Sequence, residues 1–200
     1  MFYSGIYLND KNNSATIIII EKILISAKKQ YRVCHITEVL NGSSDDKLAE
    51  ELKKINEDSS FIREKKVFSQ SGRPPKTTRT PPVFIIAGDA NREETPGEIR
   101  QKAIIIEGLL FEDNNKWHKK ELRPLRYGCN YYVNPEDINE TLLKACKNNR
   151  IQVDAAIPHA EELQKDMEVN IATDDCESER IKALSLSIWF CERVRQIKRY

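Results

Sequence analysis

Val83-Phe84-Ile85-Ile86-Ala87 is a continuous apolar run that ends on Gly88-Asp89-Ala90-Asn91. A strand that alternates apolar and polar residues can leave one face in water. An unbroken run cannot, so this strand must be covered on both faces and belongs beside a parallel neighbour. That requirement points to an α/β architecture, in which helices do the covering. Ligands gather at the carboxyl ends of strands in open α/β sheets, which makes Asp89 the first candidate for a functional side chain.

The N-terminal forty residues have a different character. Phe2–Leu8, Ala15–Ile25 and Tyr31–Leu40 read as strands, rich in β-branched and aromatic residues. The turn formers Asn9-Asp10-Lys11-Asn12-Asn13-Ser14 separate the first two, and Lys28-Lys29-Gln30 the second two. Connections this short imply an antiparallel meander. Asp45–Glu57 follows as a helix, with Ser44 as its N-cap and Leu48, Leu52 and Ile55 on one face. Beyond the buried strand, Glu98–Phe111 reads as a helix and Leu122–Cys129 as a short parallel strand. Asn134-Pro135 opens a helix that runs to about Asn148. Ile151–Ile157 is extended, Pro158 opens another helix, Val169–Cys176 is a polar connector, and the chain is helical from Glu177 onward.

Between the first helix and the buried strand lies Ser59–Pro82. Arg63, Lys65, Lys66, Arg73, Lys76 and Arg79 face only Glu64 there, and Pro74-Pro75 and Pro81-Pro82 exclude a continuous helix or central strand. We expect a basic, proline-rich loop at about 59–82, within a single domain spanning 1–200. Overall, 32 basic residues balance 31 acidic ones. That excludes a grossly basic nucleic-acid wrapper but leaves room for a local patch. The five cysteines are odd in number and none are paired as Cys-x-x-Cys, which speaks against a zinc ribbon or disulfide framework and for a reducing compartment. No stretch approaches the roughly 18–20 apolar residues of a membrane span, and the N-terminus lacks the pattern of a secretory signal. A cytoplasmic location without a membrane partner is expected. No Gly-x-x-x-x-Gly-Lys-Ser/Thr occurs, so no nucleotide cofactor is expected.

Three antiparallel strands, a helix, then alternating parallel strands and helices is an order that resembles the ribonuclease H-like fold. Within that superfamily the chain is similar to the nuclease domain of phage large terminases. Gly5-Ile6-Tyr7-Leu8, a polar turn and Ala15-Thr16-Ile17-Ile18 resemble that family's first hairpin. Phe84-Ile85-Ile86-Ala87-Gly88-Asp89-Ala90-Asn91 resembles its fourth strand. Asn149-Arg150-Ile151-Gln152-Val153, Ile157-Pro158-His159-Ala160-Glu161-Glu162-Leu163 and the stretch from Ser178 to Ser187 resemble its late region and final helix. The resemblance implies a mixed five-stranded sheet, antiparallel at the N-terminal end and then parallel, with helices on both faces.

Members of that family cut DNA with two divalent ions held by carboxylates from the first strand, the end of the fourth and the last helix. Two ions roughly 3.5–4 Å apart need several converging carboxylates to generate the nucleophile and stabilise the leaving oxygen. Carried over, the resemblance implies Asp89 and Glu179 as catalytic residues. It implies Asp89, Glu179, Asp175 and Asp10 as the metal-ligand set, for Mg or Mn, with Asp174 beside them. Tyr7, however, stands at the first acidic position, and a phenol cannot bridge two magnesium ions as a carboxylate does. The leading expectation is therefore a terminase-nuclease-like domain that has lost catalysis and acts as a nucleic-acid-binding or assembly module. Two alternatives stand beside it: an active metal-dependent DNA nuclease using Asp89 and Glu179, and a protein-interaction domain that binds no nucleic acid. Arg73, Lys76 and Arg79 in the basic loop are candidate DNA contacts. So are Lys119, Lys120 and Arg123, which interleave with Trp117 and Tyr127 where aromatics can stack bases and cations neutralise phosphates.

Overall fold

Along β1 (Phe2–Asn9) side chains alternate between two buried faces: Tyr3 and Tyr7 enter one core, Ile6 and Leu8 the other. The same sorting recurs in β2 (Ser14–Ile25), with Ile18 and Ile20 on the first face and Ile17 and Ile19 on the second. In β6 (Val83–Gly88), Ile85 and Ala87 share the first face, Phe84 and Ile86 the second. A sheet apolar on both sides needs helices on both sides. The computed structural model, which describes residues 1–9, 11–40, 46–67, 76–88, 103–107, 124–125, 128–132, 135–173 and 177–197, supplies them. Helix α1 (Asp46–Glu57) packs Leu48, Leu52 and Ile55 onto the second face. Helices α2 (Pro135–Lys147), α3 (Ala160–Thr173) and α4 (Glu179–Ile197) cover the first.

The remaining strands are β3 (Lys28–Leu40), β4 (Arg63–Val67), β5 (Lys76–Thr80), β7 (Ala103–Glu107), β8 (Pro124–Leu125), β9 (Gly128–Tyr132) and β10 (Ile151–Val153). The main sheet has the order β10-β3-β2-β1-β6-β7-β9-β8. Strands β1, β2 and β3 form an antiparallel meander, while β1–β6, β6–β7 and β7–β9 are parallel pairs. The mixed five-stranded core β3-β2-β1-β6-β7 is the ribonuclease H-like α/β arrangement expected from the order of elements. One edge is lengthened by β10, the other by β9 and β8.

Helix α4 is the central piece of the first face. Ala183, Leu184, Leu186, Ile188, Trp189 and Phe190 are all buried, because the helix is sandwiched between the sheet and α2 and α3; a helix apolar on every side belongs in such a place. Ser185 and Ser187 are buried too, but each hydroxyl donates to a carbonyl one turn back, to Lys182 O and Leu184 O. The helix crosses β1 at Gly5. A Cβ there would lie 1.9 Å from the carbonyl oxygen of Ala183, so backbone meets backbone, and only glycine allows the approach.

Two irregularities shape the meander. Ile19 pairs with His35 and Ile20 with Val33, so Cys34 is an extra residue bulged out of β3. Ser26 and Ala27, at φ 49° and 65°, form the β2–β3 hairpin turn in left-handed conformations. Lys28, Lys29 and Gln30, expected as that turn, instead begin β3.

Other sequence expectations are corrected as well. Within the helix expected over Glu98–Phe111, residues Ala103–Glu107 are strand β7, parallel to β6. Three consecutive isoleucines, stiff at χ1, outweigh the helix-start signal of Pro96-Gly97. In place of one parallel strand over Leu122–Cys129, Pro124–Leu125 pairs antiparallel with β9. The connector expected at Val169–Cys176 is helix α3 as far as Thr173, held by Asn170 Nδ2 donating to Asn139 Oδ1 on α2 at 3.1 Å. The basic loop is in part a two-stranded antiparallel ribbon, β4 with β5, separate from the main sheet. Its prolines do not prevent pairing because they sit outside the strands: Pro74-Pro75 precedes β5 and Pro81-Pro82 follows it.

Candidate functional site

The carboxyl end of β1, the β1–β2 turn and the first turn of α4 meet at one edge of the sheet. The Gly5 crossing fixes how α4 lies there, so Glu179 comes down over the hairpin. Its carboxylate is saturated by neutral donors. Oε1 accepts from Asn9 Nδ2 and, at 3.4 Å, from Asn12 Nδ2. Oε2 accepts from the hydroxyls of Ser14 and Thr16, each at 3.1 Å. Four donors match the roughly four lone-pair sites of an ionised carboxylate, and the α4 N-terminus favours its negative charge. Asn9 is itself positioned by an Asx turn, its Oδ1 accepting from the amides of Lys11 at 2.9 Å and Asn12 at 3.3 Å.

One turn along α4, Lys182 reaches Tyr7. Its Nζ donates to Tyr7 Oη at 3.2 Å and lies 4.7 Å from the ring centroid. The phenol is buried at 1 % exposure, so this is a cation–π and hydrogen-bonded contact in a partly desolvated place. Arg180, between them, faces away and bridges Asp166 on α3 at 2.8 Å and Glu38 on β3 at 2.6 Å. Ser178 Oγ also donates to Asp166 at 2.5 Å. The start of α4 is thus tied to β1, β2, β3 and α3 at once.

Of the residues singled out from the sequence, Glu179 is held by the β1–β2 hairpin and Tyr7 by Lys182. Asp10, Asp89, Asp174 and Asp175 lie outside the described residues, as do Arg73, Lys119, Lys120 and Arg123. Lys76 belongs to β5 by its backbone pairing with Val67. Arg79, on the same strand, is exposed and its Nε donates to Glu64 Oε1 at 3.0 Å. Among the described residues no three His, Cys, Asp or Glu side chains form a group able to hold a metal ion.

Of the metal-ligand set that the resemblance implies, Glu179 alone is among the described residues. It would have to release four donors to bind a divalent ion, and Lys182 sets an ammonium beside the side chain standing where an acid is expected. Sequence reasoning missed Lys182 and the Asn9–Ser14–Thr16 cradle. A signal for the lysine was present: it follows Glu179 by three residues on one helix, and such positions share a face. The cradle, made across more than 160 residues of chain, left no such trace.

No family model and no curated protein sequence matches this chain. It is similar to a solved structure of Thermus thermophilus RuvC at 10% sequence identity, over 98% of this chain and 96% of that one, with a TM-score of 0.38. The fold assignment rests on the strand order itself.

Proposed function

We infer that this chain is a terminase-nuclease-like domain that holds nucleic acid without hydrolysing it. The observation that carries the reading is the Lys182 ammonium 3.2 Å from Tyr7 Oη. A phenol and an ammonium stand where the resemblance expects a carboxylate, and neither is a ligand for a divalent ion.

The binding half of the reading is supported by the β4–β5 ribbon. Arg63, Glu64 and Thr77 to Thr80 are all exposed, and from Arg63 to Thr80 the sequence holds six basic residues against Glu64. A two-stranded ribbon is narrow enough for the major groove, and by itself it is only marginally stable in water, which suits an arm that firms up against a polyanion.

The test has two parts. Retention of duplex and single-stranded DNA is measured by fluorescence anisotropy against salt, and cleavage of plasmid and single-stranded DNA is assayed with Mg and Mn. Retention should fall steeply with salt as counterions are released. It should weaken at least tenfold in Lys65→Glu/Lys66→Glu/Lys76→Glu, and no metal-dependent cleavage should appear. Cleavage abolished by Asp89→Asn would establish an active nuclease instead. Absence of salt-dependent retention would leave the domain as a protein-interaction module.

A further inference from the structure

The far end of α4 carries a second polar site, about 20 Å from the first by the 1.5 Å rise per residue between Glu179 and Glu192. There a cleft of about 610 Å³ opens between the β2–β3 hairpin, the end of α2 and α4. Lys28, Lys29, Lys144, Arg150 and Arg193 line it, against the single carboxylate of Glu192, with Thr141 and Asn148 as neutral partners.

Glu192 is already committed. Lys29 Nζ, Tyr31 Oη and Arg150 Nη2 all donate to it. Burial pushes its pKa up, but these donors outweigh burial and hold the carboxyl at about 2. Arg193 pairs with Asp137 at 2.6 Å and Lys144 with Glu140 at 2.7 Å, two acids outside the lining. Among the described residues, with both of those acids included, five cations outnumber three carboxylates.

The cationic groups are also built in. Arg150 lies 5.0 Å over the Tyr31 ring, donates through Nε to Lys29 O at 2.9 Å and through Nη2 to Tyr31 Oη at 2.6 Å. Its Nη1 donates to no described residue, and Lys28 forms no ion pair among the described residues. The α2 carbonyls, which would repel an anion, are capped. Asn149, at φ 50°, donates its amide to Cys146 O, and Arg150 donates its own to Ala145 O, both at 2.9 Å.

We propose that this cleft binds a phosphate-bearing anion, with Lys28 and the Nη1 group of Arg150 as its open donors and Lys144, which Glu140 holds at its rim, as a third cation. The chemistry is shared by a free polyphosphate and by the phosphodiester backbone of a nucleic acid. The site is independent of the β4–β5 ribbon and of the Glu179 edge.

The experiment titrates the full chain with sodium tripolyphosphate by calorimetry and with a 12-nucleotide single strand by anisotropy. The test variant is Lys28→Glu/Lys144→Glu, and the control is Lys47→Glu/Lys53→Glu, an equal charge change on exposed positions of α1. Tripolyphosphate binding should weaken at least tenfold in the first and less than twofold in the control. If tripolyphosphate also displaces the oligonucleotide, the backbone is the source; if it binds without competing, the source is a free polyphosphate. No binding of tripolyphosphate at millimolar concentration, or equal loss in both variants, overturns the proposal. Should the double variant fail to fold, Lys28→Gln alone is expected to weaken binding about threefold, and an unchanged affinity there overturns it equally. Loss of DNA retention in the ribbon variant with tripolyphosphate binding intact would bear only on the ribbon.

Discussion

Helix α4 carries one well-held glutamate near each end, and the two are held in opposite ways. Glu179 sits among two amides and two hydroxyls, none of them charged. Glu192 sits among a lysine, an arginine and a phenol. The first arrangement satisfies the carboxylate's lone pairs while leaving its charge in place, and the nearby cation, Lys182, is turned onto Tyr7. The second neutralises the carboxylate and surrounds it with more positive charge than it can balance. Hydrogen-bond satisfaction and charge compensation are therefore separate problems, and a single helix solves a different one at each end. At the N-terminal end the glutamate's own lone pairs are taken up, whereas at the C-terminal end the described cations outnumber the described carboxylates.

The largest way to break the comparison is to unseat the helix. Gly5→Ala sets a methyl group 1.9 Å from Ala183 O, and overpacking of a backbone contact costs about 3 kcal/mol or more. Both ends should fail together, with the chemical unfolding midpoint falling sharply and tripolyphosphate binding lost. Retained binding at wild-type stability would mean that the crossing is not what aligns the two sites.

A sharper test replaces each carboxylate by its isostere. Glu192→Gln leaves Lys29 and Arg150 unpaired and should cost about 2 kcal/mol, shrinking in high salt as the charges are screened. Glu179→Gln trades neutral hydrogen bonds and should cost about 1 kcal/mol with little salt dependence. The pH response separates them further. The Glu192 carboxyl is held below its ordinary 4.5, at about 2, so it stabilises the fold above pH 4.5, and that stability drains away as the pH falls toward 2. Wild-type protein should show that acid loss in denaturant titrations and Glu192→Gln should lack it. Equal salt and pH responses in the two variants would erase the distinction.

The smallest effect belongs to the hairpin beside the basic cleft. Ser26→Asn/Ala27→Gly suits the positive φ values of that turn and should add about 1 kcal/mol of stability. The Tm should rise while phosphate binding stays unchanged, which would separate the cleft's charge from the rigidity of its wall.

Much of the fold was legible because its signals are local. Short turns between β-branched runs gave the meander, the unbroken run Val83–Ala87 gave the buried parallel strand, and Asn134-Pro135 gave the start of α2. What misled was also local. The Ser26-Ala27 turn has neither Asn nor Gly to announce it. The Ile104-Ile105-Ile106 strand follows a convincing helix start, and the prolines near β5 only flank the strand they would break from inside. The site was harder for a different reason. Searching for acids found Glu179 but passed over Lys182, and the donors around Glu179 and Glu192 are partners only after the chain has folded across most of its length.

The bulge at Cys34 has a consequence for both ends of α4. Without it, positions 31 and 38 of β3, one odd and one even, would point to opposite sides of the sheet. The extra residue switches the strand's phase midway, so that Tyr31 and Glu38 both meet α4, one at Glu192 and the other at Arg180. A single strand thereby clamps the helix at two separated points. Removing one residue from β3 would turn Glu38 toward the opposite core, where Leu48 and Phe61 offer a carboxylate no partner.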